Sequence, residues 1–428
     1  MSVTVKDICE FIWWLENKYA LLTLESDDVK FWQIARMKVY YSIAEKVGVL
    51  EQPHKEIDDY GRFLSILNYV KNSIASILFF RKRIDALLVE HPRGVNIGED
   101  KIVDIYTYYV ARDLRLDGTK CVSLEPSYLG KHIKSPNEYS VAMDGFSIVA
   151  RIFEKFYKVQ NKKLISQTST ILKQELFTKF GIQLNLYNLL VSETKTYKAK
   201  YRVAKWIFAK LKLRTLYVVV SYGYFHFVKA ANDLGVDVVE LQHGTFSKYH
   251  LGYSYPEGLK DTSYFPDYLH VWSDYWKKTN VLPIKSENVI TTGFVYGKEK
   301  FEKYRMLPKK KQLTILSQGV IGKRLSSRLG SIIEKFPEYD IYFKLHPGEY
   351  GRWENYPLLK EMEILKKVFV VEDTDLYKLL AESEFQIGVF STALFEGLDL
   401  GCKTILIDLP GIEYMDELIQ SGEVYAIY

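Results

Sequence analysis

The feature that most constrains the fold of this chain is a rhythm that begins at Leu313. Short apolar runs alternate with amphipathic stretches, and each run stops in small, polar or Gly/Pro residues. The runs are "LTILSQG", "IYFKLHPGE", "VFVVEDTD", "FQIGVFST" and "TILIDLPG". A strand buried on both faces reads as a continuous apolar run, and strands joined through helices run parallel, so the pattern predicts βαβ units of a parallel sheet. In open sheets of this kind, ligands bind beyond the carboxyl ends of the strands. The distinctive residues of this chain cluster at those ends.

The middle of the chain repeats the grammar. "TLYVVVSYG" predicts a strand, "YFHFVKAANDLG" a helix closed by a glycine, and "VDVVELQHG" the next strand with its turn. Two earlier runs, "IDALLVEHP" and "YSVAMDG", predict further strands of the same sheet, with a helix over "DKIVDIYTYYVARDL" between them. Residues 1 to about 80 read as a mostly helical, appended region. A length of 428 residues exceeds what one core normally serves. The charged stretch "GKEKFEKYRMLPKKKQ" then divides an N-terminal domain, residues 1–300, from a C-terminal domain, residues 301–428. A lysine run of this kind is equally the composition of a solvated face.

Composition excludes some classes of partner. With 47% hydrophobic and 26% charged residues, the chain is a folded globular protein. Its 58 Lys and Arg against 53 Asp and Glu leave +5, far from the dense basic clusters of a dedicated nucleic-acid binder. Anionic small ligands or acidic lipid headgroups suit such a surplus better. The 33 Tyr and 23 Phe fit half-wet surfaces such as sugar-binding clefts or membrane-facing patches, as well as core. Cys9, Cys121 and Cys402 are odd in number and share no metal-type spacing, which argues against a disulfide framework and fits a reducing cytoplasm.

The N-terminus breaks its apolar residues with Asp7, Glu10, Glu16 and Lys18, unlike a signal peptide, and nothing later supplies about eighteen uninterrupted apolar residues. A cytoplasmic location is expected. The aromatic helix "FIWWLENKYALL" and the basic interdomain stretch point to peripheral contact with the inner face of the cytoplasmic membrane; a buried amphipathic helix is the plainer alternative for the former.

Several strand ends carry groups able to do chemistry. "KLHPGE" sets Lys344, His346 and Pro347 beyond a strand, where an imidazole can hydrogen-bond a phosphate oxygen. "GVFSTALFEG" reads as a strand, then Ser391 and Thr392, then a helix; backbone N–H groups at that helix start, with two hydroxyls beside them, form an anion site, and equally an ordinary Ser/Thr cap. Glu396, one turn on, is placed to reach a ribose diol. "SQGVIGK" lacks the Walker spacing, so an ATPase reading fails, but its Ser317 and Gly319 can approach a ligand from the first strand of this half. "EDTD" holds Asp373 and Asp375 in a D-x-D pattern, read here as a helix cap with acidic first-turn residues and not as a metal site. In the other half, "LQHG" places His243 at the end of a strand.

Taken together, "LQHGTFSKYHLGY", "FPDYLHVWSDYWKK", "TTGFVYG", "KLHPGE" and "GVFSTALFEGLDLG" resemble bacterial GT-B glycosyltransferases of capsule, lipopolysaccharide and teichoic-acid assembly, over roughly Thr215 to the C-terminus. The likeness is nearest to transferases of nonulosonic acids and more distant to CDP-glycerol glycerophosphotransferases. It implies two Rossmann-like domains facing across a cleft, with donor nucleotide phosphate held by His346, Pro347, Ser391 and Thr392, and His243 as a catalytic candidate. Asp144, in "VAMDGFS", is similar to the general base of bacterial sialyltransferases of this fold, although Met143 replaces the preceding acidic residue of that motif.

Sugar transfer needs a base for the acceptor hydroxyl and groups that stabilise the departing phosphate. His243, Asp144 and Glu240 compete for the first role. Strand alternation sets Glu240 and His243 on opposite faces unless the turn intervenes. His346, Ser391 and Thr392, with Lys344, Arg324 and Lys323 in support, fill the second. No cofactor or metal is required, since the nucleotide sugar enters as a substrate. The expected function is transfer of a sugar, a nonulosonic acid from a CMP donor, to a surface polysaccharide or lipid-linked acceptor. Polyol phosphate transfer, nucleotide-sugar epimerisation and a non-catalytic role in capsule assembly are the alternatives.

Overall fold

The computed structural model describes residues 3–50, 83–128, 131–135, 139–279 and 282–427. The expected helical region is present as Val5–Tyr19 and Phe31–Lys46; its remainder, 51–80, lies outside the described residues. The strands are β1 (Ala86–Val89), a hairpin of β2 (Val95–Asn96) and β3 (Ile102–Val103), β4 (Cys121–Glu125), β5 (Ser140–Ala142), β6 (Thr215–Val219), β7 (Asp237–Leu241), β8 (Tyr268–Val271), β9 (Val289–Thr291), β10 (Lys310–Leu316), β11 (Asp340–Lys344), β12 (Phe369–Val371), β13 (Ser383–Gly388), β14 (Lys403–Leu406) and β15 (Val424–Ile427).

Two sheets result, ordered β5-β4-β1-β6-β7-β8-β9 and β12-β11-β10-β13-β14-β15, and every described pairing within them is parallel. Central strands such as β1 and β4 are buried along their whole length, which is why β1 appears in the sequence as an unbroken apolar run. These are the two Rossmann-like domains of a GT-B fold. Strand order reverses between β1 and β6 in the first sheet and between β10 and β13 in the second. Those reversals are where doubly wound sheets open a crevice for ligands.

One expected helix is corrected. "DKIVDIYTYYVARDL" begins as β3, paired antiparallel with β2, and becomes helical only at Tyr108–Leu116. Ile102 and Val103 are β-branched, and the Asp104 carboxylate accepts from Thr107 Oγ at 2.8 Å, so the chain turns before the helix can start. The last strand of the first sheet ends at Thr291, and the second sheet opens at Lys310. The helix Val295–Tyr304 between them spans the 300/301 division and ties to the C-terminal half, Lys300 Nζ lying 2.6 Å from Asp375.

The N-terminal helices brace both halves. Arg36, fully buried, is held by Glu16 at 2.6 Å and donates to the Ser254 carbonyl at 2.6 Å. Tyr40 Oη meets Tyr414 Oη at 2.7 Å, and Arg324 donates to the carbonyls of Gly48 and Val49. The apolar face of Val5–Tyr19 is covered by the chain itself, so this helix does not present the membrane-facing surface expected of it. Among the described residues, no helix is long and apolar enough to cross a membrane. Cys9, Cys121 and Cys402 are buried as free thiols.

Candidate active site

His243 follows β7 and is fixed from behind. Gln242 accepts from Trp272 N at 2.8 Å and donates to the Gly244 carbonyl at 2.9 Å, pinning the turn to the end of β8. Tyr253 Oη lies 2.7 Å from Glu240 Oε1 and 3.3 Å from His243 Nδ1. Glu240 is fully buried and also accepts from Ser221 N at 3.0 Å. Because the phenol donates to the carboxylate, its oxygen accepts from Nδ1–H, which leaves the lone pair of His243 on Nε2. Tyr253 Oη thus lies between Glu240 and His243, which strand alternation alone would set on opposite faces. Burial, and then the charges of His91, His250 and Arg93, hold His243 well below the ordinary imidazole range, so it is neutral. Burial raises the Glu240 carboxyl.

Neighbouring strand ends extend this wall. His91 follows β1 and stacks on His243 with ring centroids 6.0 Å apart. Its backbone N–H donates to Asp104 at 2.9 Å, and burial lowers its imidazole to about 3. Tyr106 meets both histidines edge-on, at 5.7 and 6.3 Å, and stacks with Trp272 and Phe294. Val220, at the end of β6, has φ 67°, a left-handed conformation costly for a β-branched residue and common beside functional sites. Past Tyr106 opens a cavity of about 560 Å³ that both domains build, with Trp272, Trp276 and Phe294 on one side and Thr392, Phe395 and Glu396 on the other.

The C-terminal sheet supplies a different chemistry. His346 begins a tight turn in which Gly348 N–H donates to its Nδ1 at 3.0 Å, while the Glu349 carboxylate accepts from His346 N–H at 2.9 Å. Pro347 fixes the first residue of that turn. Ser391 caps the helix Thr392–Asp399, accepting from Ala393 N at 3.2 Å, and Thr392 and Glu396 line the cavity. Burial pushes Glu396 up to about 7. Gly319 sits directly against the His346 ring, where a β-carbon would come within 3.1 Å of Nδ1.

Four expected donor or base contacts are placed elsewhere. Ser317 Oγ donates to Glu349 at 2.9 Å, so it supports the His346 turn from below. Lys344 Nζ is bound to the Glu372 carbonyl at the end of β12. Arg324 anchors the N-terminal helices. Asp144 follows β5, four strands from β7 and therefore about 19 Å from His243, too far to act on the same hydroxyl. It instead holds His132 at 3.0 Å; with Glu125 behind, the pair raises that imidazole to about 9. Asp375 of the D-x-D pattern caps Leu376–Glu382, accepting from Tyr377 N at 3.1 Å, and pairs with Lys300.

Sequence reasoning missed His91, Arg93, Tyr106, Tyr253 and the cavity aromatics. A signal existed for the first two: "VEHPRG" after β1 has the same strand-His-Pro form as "KLHPGE" after β11. Tyr253 lies ten residues beyond His243 and has no such mark.

No family model matches the chain, and no curated protein matches it. Among solved structures it is similar to UDP-GlcNAc 2-epimerase from Methanocaldococcus jannaschii in complex with UDP-GlcNAc and UDP, at 12% identity and TM-score 0.47, covering 81% of this chain and 88% of that one. It is similar to MurG of Acinetobacter baumannii at 14% identity and TM-score 0.43, covering 80% and 86%. A third is the glycosyltransferase SnogD from Streptomyces nogalater, at 14% identity and TM-score 0.41, covering 81% and 87%. These likenesses say nothing of this chain's chemistry, which its own residues must carry.

Proposed function

We propose that this protein is a nucleotide-sugar-dependent glycosyltransferase whose base is His243 and whose leaving phosphate is received by His346, Ser391 and Thr392. The observation that carries the reading is the pairing of opposites across one cleft. One sheet offers a neutral imidazole with its tautomer fixed by Tyr253 and Glu240, and the other offers hydrogen-bond donors and a helix start suited to an anion. In this scheme the acceptor hydroxyl gives its proton to His243 Nε2 as its oxygen bonds the anomeric carbon, while the sugar–phosphate bond breaks and its electron pair leaves with the phosphate. Glu240, through Tyr253, stabilises the imidazolium that forms, as the acid of a triad does. The nucleoside occupies the aromatic cavity with its diol toward Glu396.

The finer reading, a nonulosonic acid passed from CMP to a surface polysaccharide or lipid-linked acceptor at the cytoplasmic face of the membrane, draws its support from the motif resemblance. The test is turnover of CMP-, UDP- and CDP-linked donors by the purified protein, with and without a glycan acceptor. Tyr253→Phe should lower kcat by about 10- to 100-fold, within the usual worth of a positioned base, and leave donor affinity unchanged. A variant as active as wild type, or no donor consumed, would sink the proposal. Sugar turnover without a transferred product would favour epimerisation, and consumption of CDP-glycerol alone would favour polyol phosphate transfer.

A further inference from the structure

We infer that the exposed end of the helix Asp144–Phe156, with the groove beside it, is the surface by which this protein docks on an anionic lipid bilayer. The inference goes beyond the donor chemistry and gives the proposed membrane location a definite face. The apolar stripe of this helix outlasts the core it packs on. Phe146 and Ala150 are buried against the core of the first sheet, and Val149 is partly buried there. Ile152, Phe153 and Phe156 continue the stripe at helical spacing and are 51%, 49% and 82% exposed. Trp206 is 57% exposed on the neighbouring helix Leu186–Leu211, one turn beyond Arg202. Phe153, Phe156 and Arg202 line one groove of about 450 Å³. Exposed apolar side chains standing singly are ordinary, whereas a group of them bordered by charge marks a contact surface.

Charge decides the partner. Residues 151–163 carry Arg151, Lys155, Lys158, Lys162 and Lys163 against Glu154 alone, a net +4 in a chain whose whole excess is +5. All five cations are exposed. The acids around the groove are engaged: Glu154 accepts from Thr196 Oγ1 at 3.0 Å, Asp27 accepts from Gln160 N at 2.9 Å, and Asp28 pairs with Lys198 at 3.3 Å. Protein interfaces are depleted in lysine, whereas Lys and Arg flanking Phe, Trp and Ile are the composition of a helix that lies in a membrane interface. The interdomain lysines do not offer a second such surface, since Lys310 and Lys311 are occupied by Glu382 and Glu338 at 2.8 and 2.5 Å. None of the groove residues lines the aromatic cavity, so docking and sugar transfer use separate side chains.

The test is flotation of the full chain with phosphatidylcholine vesicles, with and without phosphatidylglycerol, in the absence of nucleotide and glycan. Wild type should float with the anionic vesicles alone and come off them in high salt. Phe153→Ser with Phe156→Ser, and separately Lys155→Glu with Lys158→Glu, should each weaken binding about tenfold or more, while Lys310→Ala with Lys311→Ala should float as wild type does. All of these side chains are exposed, and unchanged melting temperatures serve as the folding control. A second readout needs no loss of binding: Phe156→Cys takes an environment-sensitive dye at one place, because Cys9, Cys121 and Cys402 are buried, and its emission should shift to the blue on anionic vesicles. Wild type that does not float, patch variants that float undiminished, or a dye that does not respond overturns the inference. So does a dimer in light scattering that Phe153→Ser with Phe156→Ser dissolves, because the face then belongs to a second copy. Lost flotation with sugar turnover intact removes the docking surface alone, and flotation without turnover of any donor removes the proposed function and leaves the docking surface standing.

Discussion

Glu396, given a binding role in the proposed function, is a carboxyl whose burial acts against the fold. Burial beside Tyr377 raises it from 4.5 to about 7, so the folded protein holds a proton there that the unfolded chain releases. Between those two values, rising pH favours the unfolded state, and the cost is complete above about 7. Glu396→Gln removes the titration. It should melt higher than wild type at pH 8 and equal to it near pH 4.5, while binding nucleotide more weakly at pH 8, where the wild-type carboxylate accepts from the ribose diol. Melting curves at the two pH values, paired with a titration at the higher one, check both halves; a variant with unchanged affinity would remove Glu396 from the donor site. The residue was legible in sequence because it stands one helical turn after a Ser-Thr helix start. His91 had a comparable mark in its His-Pro pair. Tyr253 had none, since what gives it a role is two atoms brought near by a loop that no periodicity describes.

The element that holds His346 is a short turn whose stability is built into its neighbours. Glu349 ties His346 N–H to Ser317 Oγ, and the space for its carboxylate exists because residue 322 has no side chain. A β-carbon at Gly322 would lie 1.7 Å from Glu349 Oε1. Gly322→Ala should therefore cost roughly 1–3 kcal/mol by overpacking, displace the His346 turn and weaken donor binding. Gly330→Ala, where an added β-carbon meets nothing within 4 Å in the helix Leu329–Lys335, is the contrast and should stabilise slightly. Differential scanning calorimetry and nucleotide titration of the two variants read the difference. Among elements, the sequence exposed strands written as apolar runs and hid those interrupted by polar residues or too short to show a pattern. "CVSLE" of β4 interrupts its apolar residues with Ser123 and Glu125, whose burial depends on tertiary partners. The edge strands β9 and β15 span three and four residues, and even the alternating exposure of β15 is too short to establish a period.

At the scale of the molecule, the N-terminal helices touch both domains and carry a buried ion pair. Arg36 and Glu16 pair within the core and reach the loop at Ser254, while Tyr40 and the chain at Gly48 and Val49 contact the C-terminal half. Glu16→Gln strands the guanidinium and should cost about 3–5 kcal/mol. If these helices are a brace and not an appendage, urea unfolding followed by far-ultraviolet dichroism and by the cleft tryptophans Trp272 and Trp276 should shift together; a shift in dichroism alone would contradict it. The sequence by itself determined the parallel α/β character and put His346, Ser391 and Thr392 beyond the carboxyl ends of two of its strands, because continuous burial and helix starts leave local patterns. Only the tertiary structure decided that Asp144 pairs with His132 at the far edge of its sheet, that Tyr253 lies between Glu240 and His243, and that Arg93 faces His346. Those relations depend on strand order and domain closure, and sequence spacing carries neither, since residues hundreds of positions apart meet only when two separately wound sheets turn their carboxyl ends toward one cleft.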